Sequence, residues 1–234
     1  LELFQECDDY TKYKIEFRTL NAKDYGVPQN RKRIVIVGRR GKSTDFYPEP
    51  DKCEPDVLVK EIFSDLPAIK ANEGTLGPCN VDPNCHPWLR KVGIRNDNLP
   101  VTFHQARFHN EIDLEIYRIA VELWNEKKVR LQYNELHERL QNHKNKSTFL
   151  NRFNVVAGDL PYSHTIVAHI AMDGHYYIHP DINQNRSLTP REAARLQTFP
   201  DDYYFESRNG RSYRTTAYRQ IGNAVPFLLC QIIA

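Results

Sequence analysis

Two short β-prone runs near the start of the chain limit its fold most. Residues 13–20, Tyr-Lys-Ile-Glu-Phe-Arg-Thr-Leu, alternate polar and apolar side chains as a half-buried strand does. Residues 33–38, Arg-Ile-Val-Ile-Val-Gly, are rich in β-branched residues, as a buried strand is. Only residues 21–32 separate them, and Gly26 and Pro28 break that interval. It has no room for a crossover helix, so the two strands are expected to be antiparallel neighbours.

Beyond this ribbon the signals are mixed. Residues 41–100 are rich in Pro, Asn, Asp and Gly, and only residues 57–66 suggest a short helix. Asn110 is placed to cap a long helix whose apolar residues Ile112, Ile116, Ile119 and Leu123 recur at helical spacing. The same spacing carries it through Leu131 and Leu136 to about Leu140. Residues 165–170 and 175–178 flank Met172-Asp173-Gly174 and read as a hairpin. Thr189, Pro190 and Glu192 spell a capping box with proline at the first helical position. A last helix, or loop and helix, is expected over residues 220–233.

Composition removes several classes. No apolar run approaches the roughly 18 residues of a membrane span, and no basic-then-apolar leader opens the chain. The five cysteines are odd in number and irregularly spaced, which argues against a disulfide framework and for a reducing cytoplasm. Cys79, Cys85 and His86 lack a matched second pair, so no metal site is expected. The net charge of +2 does not exclude nucleic acid, because a basic face can sit on a balanced whole. Leu1 is not an initiator methionine and no helix stop closes residues 226–234, so the functional protein is expected to be longer.

Three constellations carry chemistry. In Gln29-Asn30-Arg31-Lys32-Arg33, an extended backbone puts Gln29, Arg31 and Arg33 on one side. Two guanidinium forks there suit phosphate, carboxylate or a base carbonyl, while the plainer reading is a solvated strand entry. Residues 186–200 set Arg191 and Arg195 on one helix face. From 186 to 219 every basic residue is arginine (Arg186, Arg191, Arg195, Arg208, Arg211, Arg214 and Arg219), interleaved with Tyr203, Tyr204, Tyr213 and Tyr218. That mixture suits a nucleic-acid surface, or a structural helix whose arginines pair with Glu192, Asp201 and Asp202. In residues 220–226, Gly222-Asn223 before a helix offers backbone N–H groups and an amide to a polar ligand, although such turns are usually only turns. Arg107 and the histidines of residues 103–109 could touch DNA, but packing at the helix entry is the preferred role for both histidines.

In order and spacing, these three segments resemble the closing motifs of the DNA cytosine-5 methyltransferases. Residues 20–33 resemble the QxRxR region and its lead-in, residues 186–200 the RxLTxRExxRLQxFP helix, and residues 220–226 the QxGNxVP segment. The resemblance implies an α/β fold, the C-terminal part of a Rossmann-like S-adenosylmethionine-dependent methyltransferase domain interrupted by a target recognition domain. Residues 1–70 and 186–234 would then be catalytic-domain segments, and residues 71–185 the recognition domain. Arg33 would meet a flipped cytosine near O2, Arg31 a phosphate or the active-site loop, and Gln29 would brace the region. Arg186, Thr189, Arg191, Glu192 and Arg195 would order the recognition region. Asn223, Ala224 and Val225 would line the cofactor pocket, where Ala224 replaces the family's usual serine and removes a hydroxyl donor.

The family's cofactor loop, Pro-Cys nucleophile and Glu-Asn-Val motif precede QxRxR, and none of them lies before Gln29. Pro78-Cys79 imitates the nucleophile but falls after QxRxR and is followed by Asn80, so Cys79 reads as a loop cysteine. The resemblance thus implies a bacterial restriction-modification enzyme acting on double-stranded DNA, of which this chain lacks the nucleophile and is inactive alone. A complementary N-terminal half would complete it. The rival readings are a subunit of a split methyltransferase and a non-catalytic DNA-binding or regulatory module.

Overall fold

In a computed structural model of the protein, residues 13–41, 45–96, 99–207, 210 and 213–234 are described. Strands β1 (Tyr13–Asn21) and β2 (Lys32–Arg40) pair antiparallel, from Tyr13 opposite Arg40 to Asn21 opposite Lys32. This is the ribbon expected from the alternation. Its turn holds Gly26 at φ +76°, a left-handed position that glycine fills without strain.

The two faces of the ribbon differ. Opposed residues share a face, so Leu20, Arg33 and Val35 lie together, and helix α6 (Phe227–Ile233) packs on that side through Leu229 and Ile232. The other face carries Phe17, Ile34 and Ile36, which are 51%, 66% and 57% exposed. It is an apolar sheet face that no described element covers, so residues 33–38 are not the buried strand that their β-branched run suggests.

Between these ends, α1 (Val59–Ile62) and α2 (Pro87–Lys91) join α4 (Pro190–Leu196) and α5 (Arg214–Asn223) in one buried cluster that includes Val59, Leu89, Ala193 and Ile221. A second cluster forms around α3 (Glu111–Lys127), where Ile116, Tyr117 and Val121 meet Tyr133, Phe153 and Val155. Strands β3 (Gly74–Thr75) and β4 (His104–Gln105) form a two-residue ladder.

The expected caps are present. The Asn110 side chain accepts the Asp113 N–H at 2.8 Å, and the Thr189–Glu192 box closes in both directions. Four expectations need correction. The long helix ends at Lys127, because Lys128 turns left-handed (φ 56°) before the β-branched Val129. Leu131, Leu136 and Leu140 are still buried, but 3-10 turns at Tyr133–Glu135 and Glu138–Leu140 place them, so their spacing reflected core contacts rather than one helix. The hairpin over residues 165–178 is instead two 3-10 turns, Ala168–Ala171 and His175–Tyr177, the second held by the Asp173 side chain accepting the His175 N–H. Residues 57–66 are helical only over Val59–Ile62. Gly222-Asn223 ends α5 rather than preceding a helix, and residues 224–226 separate α5 from α6.

Candidate active-site edge around Arg31

Gln29 and Arg31 are both buried and join the ribbon to three distant segments. The Gln29 amide donates to the Leu196 carbonyl at 3.1 Å and accepts the Ile166 N–H at 3.0 Å. The Arg31 guanidinium donates to the carbonyls of Gly222 (3.0 Å), Ala224 (2.8 Å) and Ile166. A phosphate contact for Arg31 does not fit this placement, since its fork is filled with main-chain oxygens. The carbonyls at the end of α5 carry the negative end of the helix dipole, which a cation complements. Burial, and then the nearby charge of Arg33, lower the Arg31 pKa to about 10, so the group stays protonated at neutral pH.

Close approach of backbones tightens the same knot. A Cβ at Gly222 would lie 2.3 Å from the Ala168 nitrogen and 2.4 Å from the Val167 carbonyl carbon. Only glycine lets α5 cross that segment. Gln197 and Thr198 reinforce the junction: Gln197 donates to the Ile221 carbonyl at 2.8 Å, and the Thr198 hydroxyl accepts the Leu228 N–H at 2.9 Å. Sequence reasoning assigned these two residues no role. The visible signal was a β-branched residue just past a helix end, and Thr198 is left-handed (φ 57°).

Arg33 differs from Arg31. It is half-buried, and its guanidinium donates to the Lys32 carbonyl at 2.7 Å. Asn223 and Val225 are exposed, and Ala224 is half-buried with its N–H turned back to Gln220 (3.1 Å). The expected cradle of free N–H groups is therefore not formed by Ala224. What remains is an outward amide beside an apolar side chain, with Arg33 two residues from the arginine that ties them together. An amide next to an apolar surface fits one wall of a pocket for S-adenosylmethionine, a ligand with polar and apolar parts.

The RxLTxRE residues lie in the interior. Arg186 grips Glu192 with a bidentate pair at 2.8 and 2.7 Å, and Glu192 also accepts the Thr189 N–H at 2.7 Å. Burial opposes the Glu192 charge, but Arg186 and then His179 outweigh it and hold the carboxyl well below its usual range. Arg191 donates to the carbonyls of Thr102, Pro200 and Tyr203. Arg195 is forked between Asp65 and Asp201, which together overcome burial and raise its pKa. Asp202, the other expected partner, is exposed. Buried guanidinium groups in this state cannot face nucleic acid. Arg208 and Arg211 lie outside the described residues, while Tyr203, Tyr204 and Tyr213 are exposed and Tyr218 is buried against the Leu188 carbonyl.

His104 and His109 are also buried, bonded to Thr189 and to Ser187, and Arg107 lies over the Tyr218 ring. Cys79 pairs with Val101 in a β-bridge, and burial raises its thiol pKa, which disfavours a nucleophilic thiolate. Among the described residues no cluster of three metal-ligating side chains occurs, and no helix is long and apolar enough to cross a membrane.

Comparison with known proteins identifies the family. A family model described as C-5 cytosine-specific DNA methylase matches residues 1–234. The type II methyltransferase M.Bpa9945I of Bacillus paralicheniformis is 43% identical over 92% of this chain and 48% of its own length. M.DdeI of Desulfomicrobium norvegicum, also a type II methyltransferase, is 30% identical over 95% of this chain and 54% of its own. In fold, a prophage-encoded DNA modification methyltransferase from E. coli superposes with a TM-score of 0.60 at 22% identity, over 94% of this chain and 59% of that one. The chain spans about half the length of the curated relatives it matches. It belongs to the C-5 cytosine-specific DNA methylase family.

Proposed function

We propose that this chain is the C-terminal part of a DNA (cytosine-5) methyltransferase of a bacterial restriction-modification system, and that it supplies the clamping and reading portion of the active site. The observation that carries this reading is the Arg31 knot. It ties the end of α5, whose neighbours Asn223 and Val225 are exposed, to the ribbon two residues before Arg33. A cytosine must leave the base stack to be modified. In this reading the Arg33 guanidinium donates to O2 of the extruded base and stabilises charge that develops on the ring. Arg31 touches no substrate and is a positioning residue. Asn223, Ala224 and Val225 would form one wall for S-adenosylmethionine, which when bound supplies the methyl group.

The nucleophilic cysteine and the acid would come from a portion preceding Gln29 in a longer protein. The exposed apolar face of Phe17, Ile34 and Ile36 supports this, since a two-stranded ribbon in an α/β domain is covered on both sides. Residues 1–70 and 186–234 would serve the catalytic domain and residues 71–185 recognition, with double-stranded DNA as partner and the cytoplasm as compartment. A separate subunit of a split enzyme, or a module without catalysis, would share this geometry.

The test is methyl transfer from S-adenosylmethionine to duplex DNA. The purified 234-residue chain should give none, and addition of the N-terminal half should restore it. In the restored enzyme Arg33→Ala should lower turnover more than DNA affinity. Turnover by the chain alone would overturn the division of labour, and equal losses in both parameters would remove Arg33 from the flipped base. A restored full-length protein with no transfer would favour the non-catalytic module.

A further inference from the structure

A cleft outside the Arg31 knot combines three features. Residues from two segments, 143–152 and 167–176, line a cavity of about 790 Å³. Val167 belongs to its lining, and its carbonyl carbon is, with the Ala168 nitrogen, one of the backbone atoms that a Cβ on Gly222 would strike. Val167 is thus shared by the cleft lining and the packed junction at Gly222.

The second feature is Phe149. Its ring is 77% exposed and its backbone is left-handed at φ 54°, a costly conformation for a bulky residue. The surrounding loop enforces it. Arg152 gathers the carbonyls of Asn145 (2.7 Å), Thr148 (2.8 Å) and Phe149 (3.1 Å) and lies 4.3 Å over the Tyr133 ring. The Asn145 side chain accepts the N–H groups of Ser147 and Thr148. An isolated exposed phenylalanine means little, but one held outward against backbone strain by a closed set of hydrogen bonds suits a preformed contact.

The third feature is charge and edge chemistry. Residues 137–152 contain Arg139, Lys144, Lys146 and Arg152 against the single carboxylate of Glu138. Glu115 pairs with Arg139, while Lys144 and Lys146 are exposed. On the cleft walls, Asn151 presents an amide, and His169 lies 3.8 Å from Asp173. An amide can pair with adenine and a carboxylate can accept from the cytosine amino group.

Resting on the function proposed above, we infer that this cleft reads the bases of duplex DNA. Phe149 makes the apolar or stacking contact, Lys144 and Lys146 meet phosphates, and Asn151, His169 and Asp173 face base edges. The reading surface is thus placed in the second half of the central region, not in the loops of residues 41–100.

The test uses the enzyme completed with its N-terminal half and a duplex library randomised around the methylated cytosine. Asn151→Ala or His169→Ala should relax preference at one position on the order of ten-fold while transfer continues. Phe149→Ala should raise the KM for DNA on the order of ten-fold without changing thermal stability, because its ring is exposed. Lys144→Ala with Lys146→Ala should raise KM alike for all sequences and reduce the salt slope by about one per lysine. If the wild-type enzyme methylates duplex DNA and all these variants keep its site preference and KM, this inference is overturned and the cleft is left to a protein partner. If the wild-type enzyme methylates no DNA, the proposed function itself fails and the inference fails with it.

Discussion

Arg31 and Gly222 lie 191 positions apart in the chain, yet the guanidinium of one donates to the carbonyl of the other at 3.0 Å. Ala224 and Ile166 offer their carbonyls to the same fork. The bonds orient the edge that carries Asn223 and Val225 while leaving those side chains outward.

Removing the fork should cost stability. Arg31→Ala strands three carbonyls in or near the interior, and loss of charged hydrogen bonds with unpaired acceptors costs about 3 kcal/mol or more. Arg31→Lys should lose less than Ala, because an ammonium keeps the charge but not the fork. Urea unfolding of the two variants checks both expectations; equal stabilities for the two would show that the charge without the fork contributes nothing.

Gly222→Ala should be damaging for a different reason. The added methyl meets the backbone of Val167 and Ala168, which cannot rotate away as a side chain could. A loss of roughly 1–3 kcal/mol is expected from such overpacking. Gly38→Ala is the control: its Cβ finds only Tyr13, at 3.5 Å. The difference between their melting temperatures measures the close approach.

Asp65 and Asp201 share the Arg195 fork in the interior. Asp65→Ala leaves that guanidinium partly unpaired, and breaking a buried pair typically costs about 3–5 kcal/mol. Because the site is shielded from solvent ions, the loss should be the same at low and high salt. A strong salt dependence in chemical unfolding would contradict the interior placement.

Acid should destabilise the chain well above the carboxylate range. Burial lowers His109 to about 3 and His179 to about 4, from an ordinary 6.5. Both are neutral in the fold, so between about 6.5 and 4 the unfolded chain binds the extra protons. Stability is present above 6.5 and is lost as pH falls through that window. At pH 5 each histidine should contribute a loss on the order of 2 kcal/mol relative to neutral pH. His179→Gln should flatten part of the slope of melting temperature against pH.

Local rules made the ends of elements legible where the partners are close in sequence. Asn110 and Thr189 cap helices that begin one residue later, and the β1–β2 pairing follows from alternation across a short turn. The α2 helix was equally legible, with Pro87 at its first position after His86, and went unread. Elements that depend on distant packing were not. Residues 165–178 read as two runs about a glycine loop, but Ile166, Ile170, Tyr177 and Ile178 are buried from turns rather than strands, and Lys128 ends α3 without a glycine. The site was legible as a motif but not as geometry. Arg31 is held by main-chain oxygens, which every residue type offers, so no spacing of side chains could announce its partners.

The bond between Arg31 and Gly222 also sets an order of events during synthesis. The guanidinium leaves the ribosome before its acceptors and stays hydrated at least until the Gly222 carbonyl, 191 residues later, has emerged. Once it closes, everything between is a tethered loop whose ends are already fixed. Doubling such a loop's length costs only about 0.6 kcal/mol of closure entropy. Lengthening an exposed loop within that interval therefore adds little closure entropy, and the anchored edge would hold its shape while the surface hung from it changed.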